Sequence, residues 1–225
     1  MTGNHPAVPR QWNETFAAVT RSYGGLCALA IRYVGGVPEL PFDRALLDGI
    51  PDRAGGVPIW ELKQALPRAY AVGAIQRMAD DGQVQAALAS PFDPRLVAFT
   101  TEDGIAGGYP GSANCRIHWS TDDPDRIEIE ASSDSASFLV IADSWFPGWR
   151  ATVDERPVHI YRVQHMLRGI SLPAGSHRIH LDYEPEGWAS AVRWMRGAWL
   201  LWMTIAAVAL VHRLRRRRSP GEIVA

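Results

Sequence analysis

Between Asp143 and Arg150 the chain reads DSWFPGWR, which sets a carboxylate, three aromatic rings and a guanidinium around a Pro-Gly turn. Aromatic faces on a loop can stack on sugar rings, because axial C–H groups meet the π face while the hydroxyls stay solvated. Trp145, Phe146, Trp149 and Arg150 are therefore the candidate contact for a glycan or a lipid headgroup, with core packing of the same rings as the alternative. Asp143 and Arg150 bracket the turn and are expected at the two mouths of one hairpin, as a salt bridge or turn cap.

The remaining reactive residue types do not converge. His177 and His180 are three apart, which on a strand puts them on opposite faces, and His118, His159 and His165 are scattered, so no metal site is expected. Cys27 and Cys115 lack CxxC spacing, which argues against zinc or a redox dithiol. They could pair in an oxidising compartment, or serve as small buried apolar residues in strands. Asp154, Glu155, Glu184 and Glu186 are carboxylates of the kind glycosidases pair, but such a pair must face one cleft, and these fall at turns or beside an apolar segment. The chain has no GxSxG, no phosphate-binding glycine loop and no nucleotide fingerprint. No catalytic residue and no cofactor is assigned.

The elements that must position the turn are short strands. Segments rich in Val, Ile, Phe and Tyr alternate with turns at Phe146-Pro147-Gly148, Asp154-Glu155-Arg156-Pro157 and Pro173-Ala174-Gly175. Strands are expected at 116–119, 126–131, 138–142, 150–153, 158–161, 167–172 and 177–183, enough for a sandwich. Upstream, residues 14–30 suit a short helix before a strand at 29–34. Residues 35–58 read as Gly- and Pro-rich connection. A strand at 70–75, a helix capped by Asp80-Asp81 and running through Val84–Leu88, and a strand at 96–100 make a small β-α-β unit. The fold class is mainly β, an antiparallel β-sandwich with a small α+β N-terminal lobe and one C-terminal transmembrane helix. The expected divisions are 1–112 for the α+β lobe, 113–186 for most of the sandwich, 187–212 for the membrane helix and 213–225 for a basic tail.

Charge is distributed unevenly. Residues 1–192 hold 16 Lys and Arg against 23 Asp and Glu, while residues 193–225 hold 7 against 1. An acidic body excludes a nucleic-acid partner, whose phosphates require a basic face. The basic end has a membrane explanation. GAWLLWMTIAAVALVH at 197–212 carries no formal charge and spans about 24 Å as a helix, and starting near Trp188 lengthens it past a ~30 Å hydrocarbon core. Arg193 and Arg196 would then snorkel beside Trp188, Trp194, Trp199 and Trp202. Arg213 and Arg215–Arg218 would lie in the cytoplasm, leaving the body outside. An interfacial helix would need a polar stripe that 198–211 does not show. MTGNHPAVPRQWNET does not read as a secretory signal, so either translocation of the body depends on membrane helices upstream of it, the favoured expectation, or the orientation is inverted.

ADSWFPGWRATVDERPV followed by HMLRGISLPAGSHRIHLDYEP resembles the C-terminal signature of YfhO-like bacterial membrane proteins. ALPRAYAVG at 65–73, PFDPRLVAFTTE at 91–102 and LCALAIRYVGG at 26–36 resemble further blocks of that family in the same order. The chain departs from it at WELKQALPRA, where the family tends to carry an Asn, and has no counterpart of the multi-helix part that carries the family's chemistry. The resemblance implies the extracytoplasmic C-terminal domain and last membrane helix of a glycosyltransferase that uses polyprenyl-phosphate-linked sugars in cell-envelope glycosylation. On this reading the chain is inactive alone, and its partners are the lipid bilayer, envelope glycan and the membrane part of the transferase. The alternative is a freestanding membrane-anchored glycan-binding or scaffold module.

Overall fold

The computed structural model describes residues 10–35, 42–50, 59–185 and 187–217. The expected polar lead-in at 1–9, parts of the 35–58 connection, Glu186 and the tail from Arg218 onward lie outside these residues.

Helices α1 (Arg10–Val19) and α2 (Tyr23–Ala28) lead into β1 (Tyr33–Gly35), β2 (Leu47–Ile50) and β3 (Ile59–Leu62). Next come β4 (Ala69–Val72), β5 (Ala74–Arg77), α3 (Asp81–Ala89), β6 (Val97–Thr100) and β7 (Gly107–Gly108). They are followed by β8 (Arg116–Asp122), β9 (Arg126–Ser133), β10 (Ser137–Ser144) and β11 (Trp149–Val153). The last strands are β12 (Arg156–Val158), β13 (Tyr161–Val163), β14 (Leu167–Leu172) and β15 (Gly175–Tyr183), and α4 spans Trp188–Arg217.

Among the described residues the strands form three sheets, ordered β1-β3-β2, β4-β10-β14-β13-β6-β5-β7 and β12-β11-β15-β9-β8. The pairings are antiparallel except β5 with β6, which α3 connects as a parallel β-α-β unit. The mainly β class and the sandwich expectation are borne out. The seven-stranded sheet draws strands from both sides of residue 112.

Period-two alternation decides which faces are covered. In β9 the sequence RIEIEASS buries Ile127, Ile129 and Ala131, while Arg126 and Glu130 face solvent, so this sheet has one dry face. β10 differs because FLVIA at 138–142 is apolar throughout and residues 137–141 are all buried. Its Phe138 and Val140 join Val19, Leu26, Val84 and Leu88 of the helices in one core. Its Leu139 and Ile141 join Ile129, Ile170, Ile179 and Leu181 in a second core, between the two larger sheets. Each such Leu or Ile contributes about 1.5–3 kcal/mol when fully buried, so β10 ties together both layers packed on its sheet.

Local chemistry fixes the helices. The Asp80 side chain accepts a 2.8 Å hydrogen bond from Gln83 N at the start of α3, as the capping reading requires. Ser22 caps α2 and also donates to Leu88 O at 2.8 Å, drawing α2 against α3. The strand expected at 29–34 begins only at Tyr33, because the capped α2 runs to Ala28 and Ala30 turns the chain at φ 54. Cys27 therefore lies on a helix, not in a strand, and Cys115 lies just before β8; both are free thiols. Burial raises the Cys27 pKa to about 11.

Three expected elements are broken, the first within one sheet and the other two by a change of sheet. The 70–75 segment breaks at Gly73, whose N–H donates to Arg95 O and whose carbonyl accepts from Tyr109 N. The 158–161 segment separates into β12 of one sheet and β13 of another. The turn at 145–148 is not a hairpin, because β10 pairs with β4 and β14 while β11 pairs with β12 and β15. It carries the chain from the seven-stranded to the five-stranded sheet.

Residues through Tyr183 form one compact unit and a second begins at Glu184. In the second, Ser190–Arg213 is long and apolar enough to cross a membrane. Its 24 residues span about 36 Å at 1.5 Å per residue, more than a ~30 Å hydrocarbon core. Trp194, Trp199, Leu200, Trp202 and Val208 are exposed at positions all round the helix, the pattern of a span and not of a surface helix.

The tightest packing on β10 generates a prediction. A Cβ at Gly169 would lie 2.5 Å from Phe138 Cε1 and 2.6 Å from Cζ. Gly169→Ala should therefore cost about 1–3 kcal/mol in equilibrium unfolding. A loss well under that range would mean that the Phe138 ring moves aside freely.

Candidate functional site

The aromatic residues of the 145–150 turn divide into supporting and exposed members. Trp145 is half-buried, its backbone N–H donating to Met166 O at 2.6 Å and its indole N–H to Ile160 O at 3.3 Å. Trp149, also half-buried, packs with Trp145 on the core between the large sheets, and its ring lies 5.3 Å from that of Tyr183. Phe146 and Arg150 are exposed.

Beside this turn two arginines cross from one large sheet to the other. Arg68, just before β4, donates from Nε and Nη2 to the two carboxylate oxygens of Asp143 on β10, both at 2.8 Å. Its Nη1 donates to Asp122 of β8 at 2.6 and 2.7 Å, and its guanidinium lies 4.8 Å from the Trp119 ring centre. The hydrogen bonds to Asp143 raise its pKa above the ordinary arginine value, against the opposing effect of burial, with Asp122 adding to the rise.

Arg168 of β14 lies in the row of Ile170 and Leu172, which faces the five-stranded sheet. Its guanidinium stacks 3.7 Å from the centre of the Trp149 ring, and Nε donates to Ser144 O at 3.0 Å. Only 5% of the residue is exposed, and burial lowers its pKa to about 10, which leaves it charged at neutral pH. Nη1 is 3.8 Å from Asp143 Oδ2, too far for a hydrogen bond, and has no other hydrogen-bond partner among the described residues. A cleft of about 370 Å³ is lined by Arg68, Asp122, Asp123, Asp143, Trp149 and Arg168 together with neighbouring residues.

Asp143 is therefore held by Arg68 and approached by Arg168, and β10 and β11 do not form the hairpin whose mouths Asp143 and Arg150 were expected to occupy. Sequence reasoning missed Arg68, Arg168 and Asp122 as members of a site. The available signal was an arginine at an inward position of the strand LRGISL, a placement that demands a partner.

The histidines meet separate carboxylates. His159 Nε2 lies 2.8 Å from Glu102, His177 Nδ1 2.7 Å from Asp154 and His180 Nδ1 3.4 Å from Glu128. His165 is buried 3.5 Å from Glu14 and 3.6 Å from Asp81. Among the described residues no group of three or more His, Cys, Asp or Glu could hold a metal ion. Asp154 sits in the β11–β12 turn, where hydrogen bonds from His177 and Arg178 N hold its carboxyl below the usual range. A wider cleft of about 680 Å³ over the five-stranded sheet is lined by His118, Glu130, Asp154, His177, Arg178 and His180, among others.

The fold and composition thus define a β-sandwich protein with a C-terminal apolar helix suited to membrane anchoring. Residues 116–192 match the family model described as bacterial membrane protein YfhO, consistent with a YfhO-like protein and with the resemblance read from the sequence. No curated protein and no solved structure matches the chain.

The two aspartates that serve Arg68 should differ in weight. Asp143→Ala removes the one carboxylate close to buried Arg168 and should cost about 3–5 kcal/mol in chemical unfolding. Asp122 is half-exposed, so Asp122→Ala should cost about 1 kcal/mol or less. Equal losses would show that Arg168 does not depend on Asp143.

Proposed function

We propose that this chain is the extracytoplasmic C-terminal domain and last membrane helix of a YfhO-like glycosyltransferase that uses polyprenyl-phosphate-linked sugars in cell-envelope glycosylation. The observation that carries this reading is continuity, since the family match begins in β8 and ends five residues into α4. Bond making belongs to a polytopic membrane part, while the β-domain supplies contact and positioning. Phe146 and Arg150 form the glycan or headgroup contact, supported from beneath by Trp145 and Trp149.

Orientation follows from the charges flanking the span. Arg193 and Arg196 precede its centre, whereas Arg213 and Arg215–Arg218 follow it. The positive-inside rule counts such residues close to helix ends and favours the arginine-rich side as cytoplasmic. The β-domain then faces outward, towards lipid-linked sugar and envelope glycan.

A second reading, a membrane-anchored glycan-binding module that acts without a transferase, is favoured by the cleft beside Arg168. Co-purification in mild detergent separates the two: a polytopic transferase part travels with the domain only under the first.

The topology is directly testable with reporters fused after Ala225. A reporter active only in the cytoplasm should be active there, and one active only outside should be silent. The opposite pattern would reverse the orientation and remove the β-domain from the outer side.

A further inference from the structure

The cleft at the end of the sandwich combines features that select a ligand class. Arg168 is 95% buried, yet its Nη1 donor has no hydrogen-bond partner among the described residues, and an unmet buried donor is costly. Its immobility has a clear source, since Trp149 covers one face and Ser144 O takes Nε. The guanidinium is therefore preorganised at the cleft with one donor that the protein leaves unmet.

Charge decides what that acceptor can be. Arg68 and Arg168 face Asp122, Asp123 and Asp143, so the lining carries one more negative than positive group, and Arg68 is already saturated by two of the carboxylates. A phosphate or carboxylate ligand would meet this excess. A hydroxyl suits it, because one hydroxyl can accept from a guanidinium while its neighbour donates to a carboxylate. Ile127, Pro124 and Trp149 add apolar wall, and about 370 Å³ lies at the small end of ligand sites, which run from roughly 300 to 1,000 Å³.

We propose that this cleft is a subsite for a neutral sugar ring, one hydroxyl accepting from the Arg168 guanidinium and an adjacent hydroxyl donating to Asp123 or Asp143. The inference deepens the reading of the 145–150 turn as a contact surface and rests on it. It places the specific hydrogen bonds beside the turn, whose flanking Ser144 and Trp149 line the cleft.

The test uses the full chain in a sugar-free zwitterionic detergent. Methyl glycosides of glucose, galactose, mannose and N-acetylglucosamine are titrated by saturation-transfer NMR, with inorganic phosphate as the anionic probe. At least one glycoside should saturate with a Kd on the order of millimolar, and phosphate should not compete. Arg168→Lys removes the planar fork and should weaken binding by roughly tenfold. Asp123→Ala alters an exposed residue, so it should weaken binding several-fold with an unchanged melting temperature, which keeps the test valid if the Arg168 variant does not fold.

Repeating the titration with the same sugars on polyprenyl phosphate distinguishes sources: preference for the conjugate assigns a lipid-linked sugar, equal affinity a soluble glycan, and both support the subsite. No saturation by any glycoside, competition by phosphate, or unchanged affinity in both cleft variants would overturn it. Loss of binding only in Phe146→Ala would overturn the cleft while leaving the turn as a contact surface. None of these outcomes bears on the reporter topology.

Discussion

Burial of β10 on both faces is the constraint on which the rest of the domain depends. A strand with one wet face needs one partner layer, but Phe138 and Val140 point to the helices while Leu139 and Ile141 point to the five-stranded sheet. Covering both rows requires α1, α2 and α3 on one side and β8, β9, β11, β12 and β15 on the other. The chain must then leave the seven-stranded sheet after Ser144 and return at Tyr161. The turns at 145–148 and 159–160 are those crossings, which explains why aromatic residues concentrate at the first of them.

At the end of the inner layer, polar groups replace the apolar rows. Arg168 occupies the position next in line after Leu172 and Ile170, and Arg68 and Asp143 lie beside it. Each arginine belongs to the seven-stranded side and stacks on a tryptophan of the five-stranded sheet, Arg168 on Trp149 and Arg68 on Trp119. Cation–π contact and carboxylate bonding together hold two charges where hydrocarbon would otherwise be expected. An apolar replacement would satisfy packing alone, so the retention of an unmet donor here is what points to ligand recognition.

Much of this fold was legible because strands announce themselves by period two. RIEIEA, LRGISL and HRIHLDY read correctly as most of β9, all of β14 and most of β15, and Asp80 marked the start of α3. Sheet changes were not legible, since alternation continues through residues 158–161 whichever sheet the next residue joins. The glycine at position 24 of α2 was not legible as a packing position, yet a Cβ there would lie 2.1 Å from Phe92 O, so close packing and not flexibility places glycine there. Of the candidate site, the turn was visible from composition. Its charged half was not, because Arg68, Asp122, Asp143 and Arg168 are brought together from β8, β10, β14 and the approach to β4.

Arg168 is a fixed, buried cation held by Trp149 with one donor unmet by the protein. The most direct measurement is the ¹H–¹⁵N spectrum of the arginine Nε–H groups in the full chain, assigned through Arg168→Lys and compared with Trp149→Leu. A slowly exchanging Arg168 Nε–H shifted by the indole ring current is expected, with that ring shift lost when Trp149 is replaced. An Arg168 signal with the position and exchange rate of free arginine would contradict it.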